Sequence, residues 1–136
     1  MKKIVLFCIL STFLAFPAEA AIDDNQAIKA LIGEAGGQQD DELLAHAYAL
    51  KNRGTLKGVY GLYATHTPKP TEEQWQKVSR AWWIARLDEY DPMEGRTEWR
   101  SEYDLKLMAE KGRTLESQGL YDGLKVGQTT FYRLKK

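Results

Sequence analysis

The sequence predicts one compact, mainly α-helical domain of the α+β class, with a minor extended or β element, over residues 21–136. Three amphipathic stretches begin with a capping residue or acidic side chains and end at glycine or Asp-Pro. The C-terminal segment alternates enough to predict a short strand. About 116 residues remain behind an N-terminal export segment, which is enough to bury one core but not two.

The first twenty residues predict a signal peptide. Lys2 and Lys3 precede an apolar run, and Ala18-Glu19-Ala20 forms a small-residue site, so we expect cleavage after Ala20. We therefore expect an exported protein, either periplasmic or extracellular at the cell wall, with no integral membrane span after cleavage. An uncleaved N-terminal anchor is the alternative.

Composition excludes several classes of function. The only cysteine, Cys8, lies in the segment to be removed, so we expect neither disulfides nor thiol chemistry. The remaining chain has a net charge near −1, which gives no indication of nucleic-acid binding. The two histidines, His46 and His66, lack metal-ligand spacing, and we expect no metal and no cofactor. We expect a monomer.

The first half of the chain predicts two helices and an ordered loop. The first helix is capped by Asp23, Asp24 or Asn25 and ends at Ala35 before Gly36-Gly37. The second helix runs from about Asp41 to Arg53 and stops at Gly54. Residues 54–71 contain too many apolar side chains for a linker, so we expect this loop to pack across the body and line a cleft.

The second half predicts a third helix and weaker elements. Thr71 opens a helix to about Tyr90, with Trp75 and Trp82 on its buried stripe. Residues 97–103 suggest an irregular or extended piece, residues 105–120 suggest helical fragments interrupted at Gly112, and residues 125–134 suggest a short strand.

Glu34 is the strongest candidate for a catalytic residue. It lies in the last turn of the first helix, on the shoulder of the buried face. Partial desolvation and the negative end of the helix dipole both disfavour its ionised form, as a general acid requires. The alternative is a solvated glutamate that happens to precede a turn.

Four aromatic side chains are candidates to bind substrate. Flat apolar rings with a polar atom are common in ligand-binding grooves, and they occur at Tyr60, Tyr63, Trp83 and Trp99. Core packing is the competing explanation, and it is favoured for Trp75 and Trp82.

Several motifs in order resemble the cell wall hydrolase family typified by the spore-cortex-lytic enzymes. They are Ile32-Gly33-Glu34-Ala35 with Gly36-Gly37, the helix ending Ala49-Leu50-Lys51-Asn52-Arg53, Val59-Tyr60-Gly61-Leu62-Tyr63-Ala64, Gly95-Arg96-Thr97-Glu98-Trp99, and Val126-Gly127-Gln128-Thr129-Thr130-Phe131-Tyr132. The resemblance implies a lysozyme-like fold that acts on peptidoglycan glycan strands between N-acetylmuramic acid and N-acetylglucosamine. It implies a lytic transglycosylase or muramidase in which Glu34 is the catalytic acid.

The chain departs from that family next to Trp99. Family members usually have a histidine before this tryptophan and an asparagine shortly after it, whereas this chain has Glu98 before it and Ser101 after Arg100. Either Glu98 supplies a second carboxylate for hydrolysis, or it is structural, which is favoured. Arg53 and Asn52 are also expected to be structural. A non-catalytic glycan-binding envelope module is the alternative function, and a general helical interaction protein is a third.

Overall fold

The computed structural model describes residues 21–63 and 69–136. The predicted signal segment and loop residues 64–68, which include His66, lie outside these ranges. The described residues form four helices, α1 (Asp24–Ala35), α2 (Asp40–Arg53), α3 (Glu72–Leu87) and α4 (Glu102–Glu110), and three strands, β1 (Glu98–Ser101), β2 (Leu120–Val126) and β3 (Thr129–Leu134). Short 3₁₀ turns occur at Tyr60–Tyr63 and Glu116–Gln118. The fold is therefore α+β with helices dominant.

The first two helices have the predicted ends. Asp23 caps α1, since its side chain accepts a hydrogen bond from the Gln26 amide at 2.9 Å. Helix α2 begins one residue earlier than predicted and ends at Arg53. Gly54 follows with φ 70°, a left-handed conformation that favours glycine, and its N–H donates to the Leu50 carbonyl. Local capping signals therefore located both helices.

Helix α3 ends at Leu87 rather than at the predicted Tyr90. Asp88 leaves the helical conformation, and α2 binds it at two points: the Tyr48 hydroxyl donates to its carboxylate, and the Lys51 ammonium donates to its carbonyl at 2.6 Å. Burial and this carboxylate together raise the pKa of Tyr48 to about 12. The same hydroxyl holds the pKa of Asp88 below its ordinary value. These tertiary contacts shorten the helix.

The C-terminal third differs most from the prediction. Helix α4 begins at Glu102, where Ser101 and Asp104 form a capping box. Strands β2 and β3 form a hairpin, and β1 adds to β3, which gives the antiparallel order β1-β3-β2. The predicted strand at 125–134 corresponds to β3 and the preceding turn, whereas most of β2 was not predicted. Its side chains are mostly exposed, so they show little hydrophobic alternation.

The core lies between the first three helices and one face of the sheet. Its fully buried side chains include Leu43 and Leu50 from α2, Trp82 from α3 and Phe131 from β3. The prediction of Trp82 as a core residue is confirmed: it is 1% exposed, and its indole N–H donates to Asp24 at 2.8 Å. No helix in the described ranges combines the length and apolar character needed to cross a bilayer.

Candidate active site

Glu34 is held by hydrogen bonds to both of its carboxylate oxygens. The Gly61 amide donates to Oε1 at 2.8 Å, and the indole N–H of Trp99 donates to Oε2 at 3.2 Å. The side chain is half-buried in the last turn of α1. A carboxylate has about four lone-pair sites. Two donors therefore fix its orientation and still leave each oxygen able to bind a ligand.

Two glycines bring the Gly61 amide to Glu34. A Cβ atom on Gly33 would lie 2.6 Å from the Gly61 Cα atom, and a Cβ atom on Gly61 would lie 2.7 Å from Cγ of Glu34. Neither distance is tolerated between non-bonded carbon atoms. The backbone of the 3₁₀ turn therefore rests directly on α1, and only glycine at both positions permits this approach.

Trp99 also contacts two other side chains, His46 and Arg53. It lies in β1 and pairs in register with Phe131. His46 makes an edge contact with its ring at a centroid separation of 5.6 Å, and the guanidinium carbon of Arg53 lies 5.9 Å from the ring centroid. These contacts hold the indole N–H in position to donate to Glu34.

His46 is a buried, neutral imidazole that packs against Trp99. It is 2% exposed, and its Nδ1 atom donates to the Glu42 carbonyl at 2.8 Å. Burial is the main cause that lowers its pKa from 6.5, although the Glu42 carbonyl and the charge of Glu34 partly oppose this shift. The neutral imidazole is thus part of the packing behind Trp99.

We expect stability to fall as the pH decreases below about 6.5. Because the pKa of His46 is lower in the folded chain, the unfolded chain binds the proton more readily, so stability is fully present above 6.5 and is lost as the pH falls from there toward the folded pKa. A His66→Gln variant leaves His46 as the one histidine of the chain, which isolates this effect. Urea unfolding between pH 7.5 and 5.5 measures it, because ordinary carboxyls stay ionised over that range. A constant free energy of unfolding would contradict the prediction.

Glu98 is engaged by Arg53 on both oxygens. Nη1 of Arg53 lies 2.8 Å from each of them, and Nη2 donates to the Lys57 carbonyl at 2.7 Å. The two side chains are only 18% and 15% exposed. Asn52 donates to Asp91 and to the Arg96 carbonyl, so it fastens the turn after α3. Both side chains therefore make structural contacts, and Arg53 also lines the cleft described next.

An open cleft of about 630 Å³ adjoins Glu34. It brings together four of the residues predicted for the site, Glu34, Tyr60, Glu98 and Trp99. Tyr63 and Trp83, also predicted to contact the substrate, do not line it: Tyr63 is 75% exposed at the end of the 3₁₀ turn, and Trp83 is 43% exposed on α3.

The cleft also contains residues that the sequence did not single out. One wall of the cleft is built from β1, α4 and the segment after α4, and it includes Arg100, Asp104, Leu107, Met108, Lys111, Arg113 and Gln118. Exposed charged residues after a helix form no recognisable motif, so no sequence signal marked this wall. The Gly61 amide was also missed, although the glycine itself lies in one of the motifs quoted above.

The arrangement provides one oriented carboxyl group beside an indole in a cleft that a polymer could enter. Such a carboxyl can give a proton to a bound polar atom and accept one back. Among the described residues, no group of three or more His, Cys, Asp or Glu side chains could hold a metal ion. Comparisons of the chain with protein-family models, curated proteins and solved structures gave no match.

Proposed function

We propose that this protein is an exported enzyme that cleaves peptidoglycan between N-acetylmuramic acid and N-acetylglucosamine, as a lytic transglycosylase with Glu34 as its single acid and base. The observation that carries the proposal is the Glu34 carboxyl, fixed on both oxygens by Gly61 and Trp99 and adjoining an open cleft. The sequence resemblance supplies the substrate class. No cofactor is needed, and we propose that the protein acts as a monomer on a lysozyme-like fold.

The proposed reaction uses Glu34 twice. As an acid, it protonates the glycosidic oxygen while the bond from that oxygen to the anomeric carbon of N-acetylmuramic acid breaks. As a carboxylate, it then takes the proton of the 6-hydroxyl of the same sugar, whose oxygen bonds to the anomeric carbon and closes an anhydro ring. Glu34 ends protonated, as it began, and the substrate's N-acetyl group stabilises the positive charge in between.

The two N–H donors contribute to both steps. They hold the carboxyl in one orientation, so it need not be reoriented between giving and taking the proton. They also stabilise the negative charge that appears on Glu34 once the proton has been donated, in the way that preorganised donors act in other active sites.

The environment of Glu98 favours one carboxyl over two. Hydrolysis by the usual two-carboxylate mechanism needs a second carboxylate, either as the nucleophile or as the base that activates water. Arg53 occupies both oxygens of Glu98 at 2.8 Å. Asp104, the other carboxylate that lines the cleft, accepts hydrogen bonds from the Ser101 amide and hydroxyl in the capping box of α4. Asp91 does not line the cleft, and it accepts hydrogen bonds from the Met93 and Gly95 amides within its own turn. Transglycosylation needs none of these side chains and is therefore favoured over two-carboxylate hydrolysis.

Tyr60 and Trp99 are the proposed contacts to the sugar rings. Tyr60 is 82% exposed at the cleft, so its ring is free to stack on a sugar face, and Trp99 lies next to the reacting bond through its hydrogen bond to Glu34. Because the cleft excludes Tyr63 and Trp83, neither is part of this proposal.

The experiment is product analysis. Purified mature protein is incubated with cell wall sacculi, and the soluble products are identified by mass spectrometry. Anhydro-muropeptides support the proposal, whereas reducing ends would show hydrolysis. Binding to sacculi without release would support the alternative, a non-catalytic glycan-binding module; the observation in its favour is that Glu98 is tied to Arg53 where the family has a histidine. If the protein neither binds sacculi nor releases products from them, both the enzyme and the glycan-binding module are contradicted.

We expect Trp99→Phe to lower the turnover of sacculi about tenfold, since a hydrogen bond to a charged group contributes roughly 1.5–3 kcal/mol. Phenylalanine keeps a ring against His46 but removes the donor to Oε2 of Glu34. The matched control is Trp83→Phe, which makes the same change outside the cleft and is expected to keep full turnover. Equal rates for both variants would contradict a role for the indole N–H.

A further inference from the structure

Three positively charged side chains line the wall of the cleft that β1, α4 and the following segment form: Arg100 of β1, and Lys111 and Arg113 after α4. None of the ion pairs found within residues 21–63 and 69–136 involves them. Most of the other arginines in these ranges are paired with carboxylates, namely Arg53, Arg86, Arg96 and Arg133. The cleft is thus lined by cations that the fold itself does not neutralise.

The acidic side chains of the cleft do not balance these three charges. Glu98 is matched by Arg53, and Asp104 accepts hydrogen bonds from the Ser101 amide and hydroxyl in the capping box of α4. Glu34 is the remaining carboxyl of the lining, and the proposed reaction requires it protonated when the substrate binds. An anionic ligand would therefore meet a net positive wall.

Arg100 is the most strongly positioned of the three. Its Nη1 donates to the Trp99 carbonyl at 2.7 Å and its Nη2 to the Gln118 side chain at 3.2 Å, and the side chain is half-buried. A guanidinium has five N–H donors, so others remain for a ligand. The negative end of the α4 dipole explains a positive charge at Lys111, which follows the last residue of that helix. It does not explain the positive charge of Arg100, because Arg100 lies on a strand.

We propose that this wall binds the carboxylates of the peptides that the glycan strand carries, so that the enzyme acts on strands with free peptide carboxylates in preference to strands whose peptide carboxylates have been neutralised. This inference rests on the proposed function. Where a peptide is attached, the lactyl carboxyl of N-acetylmuramic acid is part of an amide, so the sugars are neutral there and the peptide carboxylates are the main anionic groups. A guanidinium and two exposed cations in one cleft suit carboxylates that vary in position along a peptide.

The test compares two substrates and three variants. The substrates are sacculi freed of phosphate polymers and the same sacculi after carbodiimide coupling of methylamine to their peptide carboxylates, which removes the negative charges but keeps the peptides and cross-links. We expect Lys111→Gln/Arg113→Gln to reduce the ratio of kcat/KM for untreated over amidated sacculi about fivefold, as two exposed ion pairs allow. Arg100→Gln is expected to reduce it similarly, and added salt should weaken the wild-type preference. The control, Lys29→Gln/Arg80→Gln, removes the same two charge types from exposed positions outside the cleft and should keep the wild-type ratio.

The outcomes separate this inference from the proposed function. Equal wild-type cleavage of both substrates, or a ratio that neither cleft variant changes, would overturn the inference and leave the proposed function intact. If wild type cleaves neither substrate, the proposed function fails. Co-sedimentation of the Glu34→Gln protein with untreated and with amidated sacculi then still measures the preference without turnover, and equal binding to both would overturn the inference.

Discussion

Glu34→Gln is expected to reduce the release of soluble muropeptides from sacculi by two to four orders of magnitude, the usual contribution of a positioned acid and base. The amide has nearly the shape of the acid but can neither give a proton to the glycosidic oxygen nor take one from the 6-hydroxyl. Its carbonyl oxygen can still accept a hydrogen bond from Gly61, while its NH₂ group would face the indole N–H of Trp99. Quantifying anhydro ends by mass spectrometry measures the loss.

The folded state should survive this change, so the loss can be assigned to chemistry. One of two hydrogen bonds to a half-buried group is removed, which costs about 1–3 kcal/mol. The matched control is Glu89→Gln, at an exposed glutamate after α3 that does not line the cleft. It should release products at the wild-type rate. Undiminished release by the purified Glu34→Gln protein would refute the mechanism.

The helices were predictable because their signals are local. Asp23, Thr71 and Gly54 each act on a backbone group within four residues, so a short stretch of sequence contains the whole interaction. The early end of α3 was not predictable in this way. It depends on Tyr48 and Lys51, which reach Asp88 across about forty positions.

Only part of the candidate site was predictable, as single residues and not as an arrangement. Glu34 and Trp99 were identified on separate grounds, and the hydrogen bond between them joins positions 65 residues apart. The helical pattern places Trp83 at the edge of the buried stripe, and its 43% exposure agrees with that position. The pattern could not show on which side of the helix a cleft would form, because β1 and α4 build the cleft wall and both follow α3 in the chain.

The role of Glu98 also depends on a contact that the sequence does not show. From sequence alone it was either a second carboxylate or a structural residue, and the choice depended on what it contacts. Arg53, at the end of α2, reaches across to the start of β1 and engages both of its oxygens. An ion pair between residues 45 positions apart leaves no trace in local composition or spacing.

Gly33→Ala is expected to destabilise the protein by about 1–3 kcal/mol, although Gly→Ala within a helix normally stabilises by about 1 kcal/mol. The new methyl group would lie 2.6 Å from the carbonyl carbon and Cα of Gly61. These are backbone atoms, so no change of side-chain rotamer can relieve the overlap. The 3₁₀ turn must move away from α1, and the Gly61 amide must move with it. Urea unfolding measures the free-energy change.

We expect Gly33→Ala to lower the turnover of sacculi by more than its loss of folding stability explains. At a temperature where Gly33→Ala is still folded, displacement of the Gly61 amide leaves Oε1 of Glu34 without its donor, and misplacing a catalytic group by about 1 Å can cost on the order of a hundredfold in rate. Gly37→Ala is the control, because a Cβ atom there meets nothing within 4 Å, and we expect it to match wild type in both measurements. A Gly33→Ala protein that is less stable but fully active would show that the glycine contact serves packing alone. A variant as stable as wild type would show that the turn does not rest on α1, which would remove the structural basis for the hydrogen bond from Gly61 to Glu34.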